Sequence, residues 1–98
     1  MRMMLKLSID NEAGNRVVDE GRVGQVIGKL SERLAPEAAY FFAENGRRTS
    51  IYVFDMKDSS QWVGIGELLW HEFNADVTLV PVMNQDDLQA GVAALEAA

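Results

Sequence analysis

The dipeptide Asn45-Gly46 constrains this chain more than any other feature of its sequence. It lies between two segments rich in Tyr, Phe, Val and Ile, residues 38–44 and 47–56. A type I′ turn needs positive φ at both central positions, and Asn-Gly adopts that conformation readily. The dipeptide therefore predicts a β-hairpin of defined register. Its cross-strand pairs are Glu44 with Arg47, Phe42 with Thr49, and Tyr40 with Ile51.

Apolar periodicity predicts the other elements. Residues 3–9 alternate as a strand with one apolar face, and residues 77–83 form another strand. Asp19 is predicted to cap a first helix that Pro36 ends, after a loop over residues 10–18. The stripe of that helix is Val23, Val26, Ile27, Leu30 and Leu34. A second helix is predicted from Asp58 or Ser59 to about Phe73, with Trp62, Ile65 and Leu69 on its stripe, and a third from Asn84 or Asp86.

This order of elements, β-α-β-β-α-β followed by a helix, indicates an α+β fold. With right-handed crossovers, the simplest solution is a ferredoxin-like βαββαβ sandwich with a four-stranded antiparallel sheet and an extra C-terminal helix. We expect residues 1–98 to form a single domain of this kind.

Such a sandwich leaves one sheet face without helices, yet the hairpin is apolar on both of its faces. We expect Ile51 and Val53 to face the helices. The open face would then hold Lys6, Ser8, Phe41, Arg48, Ser50, Tyr52, Phe54, Thr78, Val80 and Val82. An uncovered apolar surface of this size indicates a contact, and we predict a homodimer through it. The alternative is that the last helix folds over part of the face.

Charge and composition argue against several classes of function. The net charge of −6 makes nucleic acid and anionic membranes poor partners, because both repel an acidic surface. The absence of cysteine excludes thiolate metal sites and is compatible with a cytoplasmic location. The single histidine cannot supply a histidine metal site, so neither a metal nor a cofactor is expected.

The glycines of "EGRVGQVIGKL", residues 20–30, resemble a phosphate-binding loop only superficially. They lack the G-x-G-x-x-G spacing and do not directly follow a strand. Gly24 and Gly28 instead lie on one flank of the predicted helix, where small residues would let another backbone approach closely. Close packing is the favoured interpretation.

Two longer stretches, "PEAAYFFAENGRRTSIYVFDM" and "FNADVTLVPVMNQDDL", resemble a family of small, mostly bacterial proteins that is itself uncharacterised. The "EAGN" segment before the first helix is similar too. The resemblance implies a ferredoxin-like fold of the dimeric α/β-barrel type. That wider group includes monooxygenases, isomerases, stress-response proteins and haem-handling enzymes, so the resemblance implies dimerisation more than a chemistry.

No catalytic grouping emerges from the sequence, and the candidate ligand-binding residues are scattered. They are Glu12, Asn15, Tyr40, Arg48, Tyr52, His71 and Asn74. Each also has a structural interpretation, such as Asn74 as a helix C-cap or His71 as an exposed surface residue. The favoured function is a homodimeric ligand-binding or accessory module with a small-molecule ligand. The alternatives are a cofactor-free enzyme, monooxygenase- or isomerase-like, for an apolar or aromatic metabolite, and a regulatory amino-acid-sensing module.

Overall fold

A computed structural model describes residues 1–97 of the chain. Its elements are β1 (Arg2–Ser8), α1 (Asn11–Asp19), α2 (Val23–Leu34), β2 (Ala38–Glu44), β3 (Arg47–Asp55), α3 (Gln61–Phe73), β4 (Asp76–Pro81) and α4 (Gln85–Ala97). The strands form an antiparallel sheet in the order β2-β3-β1-β4. This is the ferredoxin-like α+β arrangement that the sequence predicts.

The hairpin of β2 and β3 has the predicted turn and register. Asn45 and Gly46 both adopt positive φ, at 54° and 74°. Glu44 pairs with Arg47, Phe42 with Thr49, and Tyr40 with Ile51. The turn thus sets which hairpin residues share a face, as expected from the side-chain alternation of strands.

The prediction of a loop over residues 10–18 is wrong, because most of that segment forms α1. The Asp10 carboxylate caps this helix by accepting a hydrogen bond from the Ala13 backbone N–H at 3.1 Å. Ala13 and Val17, one turn apart, are both buried. Asn and Gly in "NEAGN" are poor helix formers, and the burial of that face outweighs their local preference.

Asp19 therefore ends one helix instead of starting another. The chain turns at Gly21, where φ is 68°, and α2 begins at Val23. Of the predicted stripe, Val26, Leu30 and Leu34 are buried. The close packing predicted at Gly24 and Gly28 is wrong for residues 1–97, because no described atom outside the adjoining backbone of the same helix lies within 4 Å of a β-carbon built at either position.

The assignment of the hairpin faces is also wrong. Tyr52 pairs with Leu5, and Phe54 pairs with Met3. Because paired residues project to the same side, the apolar face of β1 brings Tyr52 and Phe54 under the helices, where they are 0% and 1% exposed. Three more residues that were expected on the open face lie on the helix side as well. Arg48 and Ser50 project to the same side of β3 as Tyr52, and Phe41 pairs with Ser50.

The open face holds the other set of side chains. Its other apolar members are Met4, Tyr40, Phe42, Ile51 and Val53, and Lys6, Ser8, Thr78 and Val80 lie there as expected. Tyr40 is 66% exposed on this face. The sequence left the relation between the hairpin and β1 open, and the β1–β3 register decides it.

The last helix, α4, does not cover the open face. None of its described side chains is buried, and its stripe of Leu88, Val92 and Leu95 remains exposed. Asn84 caps it reciprocally with Asp87, whose backbone N–H donates to the Asn84 side-chain oxygen at 2.8 Å. No helix of the described chain is both long and apolar enough to cross a membrane.

Candidate functional site

A cavity of about 470 Å³ lies between the helix pair α1–α2 and the β2–β3 end of the sheet. Its walls are mainly apolar side chains from both layers, namely Ile9, Val18, Val23, Ile27, Phe41 and Phe73. Arg48 and Ser50 supply its polar side chains from alternate positions of one strand, β3. Its volume lies within the range typical of small-molecule sites. Apolar walls with a few polar groups are also typical of such sites.

Arg48 is held at this cavity by α1. Its guanidinium Nη2 donates a hydrogen bond to the Asn15 side-chain oxygen at 3.1 Å. Its Nη1 lies 2.7 Å from the position that a β-carbon on Gly14 would occupy. Gly14 is therefore a point of close approach, where the missing side chain leaves room for the guanidinium.

A line of polar groups runs along β3 from Arg48 towards the core. Ser50, two residues on, is 2% exposed and lines the cavity. Tyr52 follows on the same face, and its buried hydroxyl has no hydrogen-bond partner among residues 1–97. Burial raises the pKa of Tyr52, and the neighbouring Ser50 hydroxyl offsets part of that rise without reaching hydrogen-bonding geometry.

Of the predicted site residues, the structure brings Asn15 and Arg48 together at the cavity. Glu12 is exposed in the first turn of α1, and Tyr40 lies on the opposite face of the sheet. Asn74 ends α3 in the left-handed conformation, with φ of 46°. These positions follow from the register and the helix ends, which place only part of the predicted set around one space.

His71 lies on the exposed side of α3. Its side chain is 79% exposed, and Nε2 lies 2.9 Å from the Glu67 carboxylate one turn earlier. It does not line the cavity. Among the described residues, no three side chains of the His, Cys, Asp or Glu type cluster as a metal site would require.

Sequence reasoning missed Gly14 and Ile9 as parts of this site. Ile9 was recognised only as a strand residue, and Gly14 only as part of a loop. The spacing of Ala13 and Val17, with an aspartate before them, is the signal that would have indicated α1. Recognising that helix would have placed Asn15 on a defined element next to the first strand.

Solved structures with similar folds come from several proteins. The formyltetrahydrofolate deformylase of Pseudomonas putida KT2440 aligns over 84% of this chain with a TM-score of 0.56 and 13% identity. This chain spans only 29% of the length of that protein. At this identity the likeness supports the ferredoxin-like fold and nothing about activity.

Two other solved structures align over most of both chains. The periplasmic divalent cation tolerance protein CutA of Archaeoglobus fulgidus covers 86% of each chain, with a TM-score of 0.47 and 11% identity. CutA1 of Pyrococcus horikoshii aligns over 91% of this chain and 92% of its own, with a TM-score of 0.44 and 13% identity. No protein-family model and no curated protein matches the chain. The resemblance to a bacterial family therefore stays a prediction.

Proposed function

We propose that this chain is a non-catalytic, self-associating module that binds a small molecule in the cavity between α1–α2 and β2–β3. The cavity itself supports the proposal best. It offers about 470 Å³ of mainly apolar space, and its polar side chains come from a single strand. Such a site can orient one ligand and cover the part of it that lies against the apolar walls.

Binding is favoured over catalysis because of the chemistry of the lining. Among the described residues that line the cavity, none is a histidine, a carboxylate or a lysine. General acid–base catalysis near neutral pH needs a group of that kind within hydrogen-bonding reach of the substrate. Arginine and serine can hold and orient a ligand here, and no base stands beside Ser50 to make it a nucleophile.

Self-association is proposed through the open sheet face, with a second copy of the chain as the partner. Four charged side chains of that face are already paired within the chain, Lys6 with Glu44 at 2.7 Å and Arg47 with Asp76 at 3.6 Å. The central apolar side chains have no such partners. A symmetric contact would lay this apolar centre against its own copy, with neutralised charges at the rim.

A cytoplasmic location belongs to the same proposal. The described chain has no helix that could span a membrane, and its sequence has no cysteine to form a disulfide. A chain without disulfides needs no oxidising compartment to fold.

A thermal-shift screen against a metabolite library tests ligand binding. A ligand at a hundred times its dissociation constant stabilises the folded state by roughly 2.7 kcal/mol, which such a screen detects. Val23→Trp places a bulky ring at the cavity, since Val23 lines it and is 39% exposed. Val63→Trp, at a 68% exposed position on α3, is the matched control.

We expect hits that stabilise the wild type and Val63→Trp but not Val23→Trp. A library without any stabilising compound would overturn the binding proposal. Hits that stabilise Val23→Trp as much as the wild type would place the site elsewhere and overturn the cavity assignment.

A further inference from the structure

We infer that the ligand of this cavity is a small monocarboxylate with an apolar body, and that Arg48 is the residue that recognises its carboxylate. This inference rests on the proposed function, since it names the class of molecule that the cavity takes. It is derived from the pairing of Arg48, from its position and from the walls around it.

The first observation is that the positive charge of Arg48 has no carboxylate partner among the described residues. Among residues 1–97, no carboxylate forms an ion pair with Arg48, and its side-chain partner is the neutral Asn15 oxygen. The adjacent Arg47, on the opposite face of β3, pairs with Asp76. In a chain with fifteen acidic and nine basic residues, an arginine directed at a cavity and left without a carboxylate is available for an acidic ligand.

The second observation is how the guanidinium is positioned. Asn15 engages Nη2, and the bare backbone of Gly14 receives Nη1. The hydrogen bond to Asn15 thus restricts the orientation of the planar group before any ligand binds, and the missing side chain of Gly14 leaves the space that this orientation needs. A guanidinium whose orientation is set in advance loses less entropy when it makes the paired hydrogen bonds that match a carboxylate.

The third observation decides between anions. Arg48 is the only cationic side chain among the described lining residues, and the remaining wall is largely apolar. One positive charge balances a monoanion, whereas a phosphate ester carries nearly two negative charges, of which Arg48, an exposed side chain at the cavity, would balance only one. The same wall favours a branched or aromatic body, which the side chains of Ile27, Phe41 and Phe73 would surround.

Matched pairs of probes test this inference. Phenylacetate is compared with phenylacetamide, and 4-methylpentanoate with its primary amide, by calorimetry on the wild-type chain. Each pair keeps the body and changes only the charge of the head group. Because a hydrogen bond from a guanidinium to a carboxylate is roughly twice as strong as one between neutral groups, we expect each acid to bind at least roughly tenfold more tightly than its amide.

Two variants make the test specific to Arg48. Arg48→Gln removes the cation at the cavity, and Arg47→Gln removes the neighbouring cation on the other face of the same strand. We expect Arg48→Gln to abolish the preference for the acid and Arg47→Gln to retain it. Circular dichroism confirms that both variants are folded before binding is measured.

The outcomes separate this inference from the proposed function. Equal binding of acid and amide, or a preference that survives in Arg48→Gln, overturns the carboxylate inference and leaves the cavity as a binding site. If the library compounds that bind tightly include no acid, the carboxylate inference is likewise overturned and the cavity remains a binding site. A failure of every acid, amide and library compound to bind overturns the proposed function itself.

Discussion

The guanidinium of Arg48 lies directly over the backbone of Gly14, with Nη1 2.7 Å from the place where a β-carbon on that glycine would stand. This contact joins α1 to β3 at the edge of the cavity. It makes the missing side chain of a helical glycine part of the candidate site. It also allows the position of the arginine to be changed without removing its charge.

Gly14→Ala is expected to weaken binding of acidic ligands while leaving the fold intact. The new methyl group displaces the flexible end of Arg48, and alanine in a helix is favoured over glycine by about 0.5–1 kcal/mol. Gly24→Ala, at a helical position with no described atom within 4 Å, is the control. Chemical unfolding should show Gly24→Ala at least as stable as the wild type and Gly14→Ala still folded, with its helix-propensity gain offset because the Cγ2 atom of buried Ile9 lies 3.0 Å from the new methyl group. Unchanged acid binding by Gly14→Ala would contradict the positioning role of this contact.

Gly46→Ala is expected to destabilise the chain by about 1–2 kcal/mol, because the turn holds this residue at a φ of 74° that a side chain disfavours. Gly91→Ala in α4 is the comparison, since no described atom lies within 4 Å of a β-carbon there. Urea unfolding followed by circular dichroism measures both. Equal stability of the wild type and Gly46→Ala would mean that the turn does not impose this conformation in solution.

Tyr40→Glu is expected to convert the proposed dimer into a monomer. Tyr40 is 66% exposed on the open face, and Val63 is 68% exposed on α3, so Val63→Glu adds the same charge at similar exposure outside the proposed contact. Light scattering coupled to size exclusion should give a mass of about twice 10.9 kDa for the wild type and Val63→Glu. A monomeric wild type at micromolar concentration would overturn the dimer, and a dimeric Tyr40→Glu would place it on another surface.

Tyr52→Phe is expected to leave the free energy of unfolding unchanged or to raise it by on the order of 1 kcal/mol. The hydroxyl is buried without a hydrogen-bond partner among the described residues, so its removal relieves a desolvation cost and keeps the ring in place. Thermal and urea unfolding of the two proteins measure the difference. A loss above about 1 kcal/mol would show that the hydroxyl has a partner in solution.

Asp55→Asn is expected to flatten the dependence of stability on pH under acidic conditions. Lys57, and after it the amino group of Met1, lower the pKa of Asp55 from 3.8 to about 2. Because the folded state holds the proton less tightly than the unfolded state, this contribution is present above about pH 4 and is lost as pH falls towards 2.

Urea midpoints measured across that range at low salt test the prediction. The pair is exposed, so added salt should shrink the difference between Asp55→Asn and the wild type. Parallel pH profiles for the two proteins at low salt would contradict it.

Local signals in the sequence were enough to predict most of the fold. Asn45-Gly46 determined the hairpin register, the apolar stripe of Val26, Leu30 and Leu34 indicated α2, and Pro36 follows the end of that helix. The loop prediction for residues 10–18 was wrong because helix propensity in "NEAGN" is low. The energy that offsets it comes from burying Ala13 and Val17 against other elements, which a local pattern does not contain.

The candidate site was predictable only in part. Asn15 and Arg48 were both among the predicted residues, but nothing in the sequence indicated that they touch. Their hydrogen bond depends on α1 lying beside β3, a relation between segments 33 positions apart. Gly14 was not predicted at all, since a close approach is visible only when the approaching group is known.

By itself the sequence determined every element except α1, and the alternation of side chains within each strand, because turn chemistry and periodicity act between near neighbours in the chain. The tertiary structure alone decided which hairpin face meets the helices. That choice depends on the register of β1 against β3, where Leu5 meets Tyr52 and not Ile51. A shift of one residue would reverse every side chain of the hairpin, and burial of the apolar face of β1 together with Tyr52 and Phe54 selects the observed register.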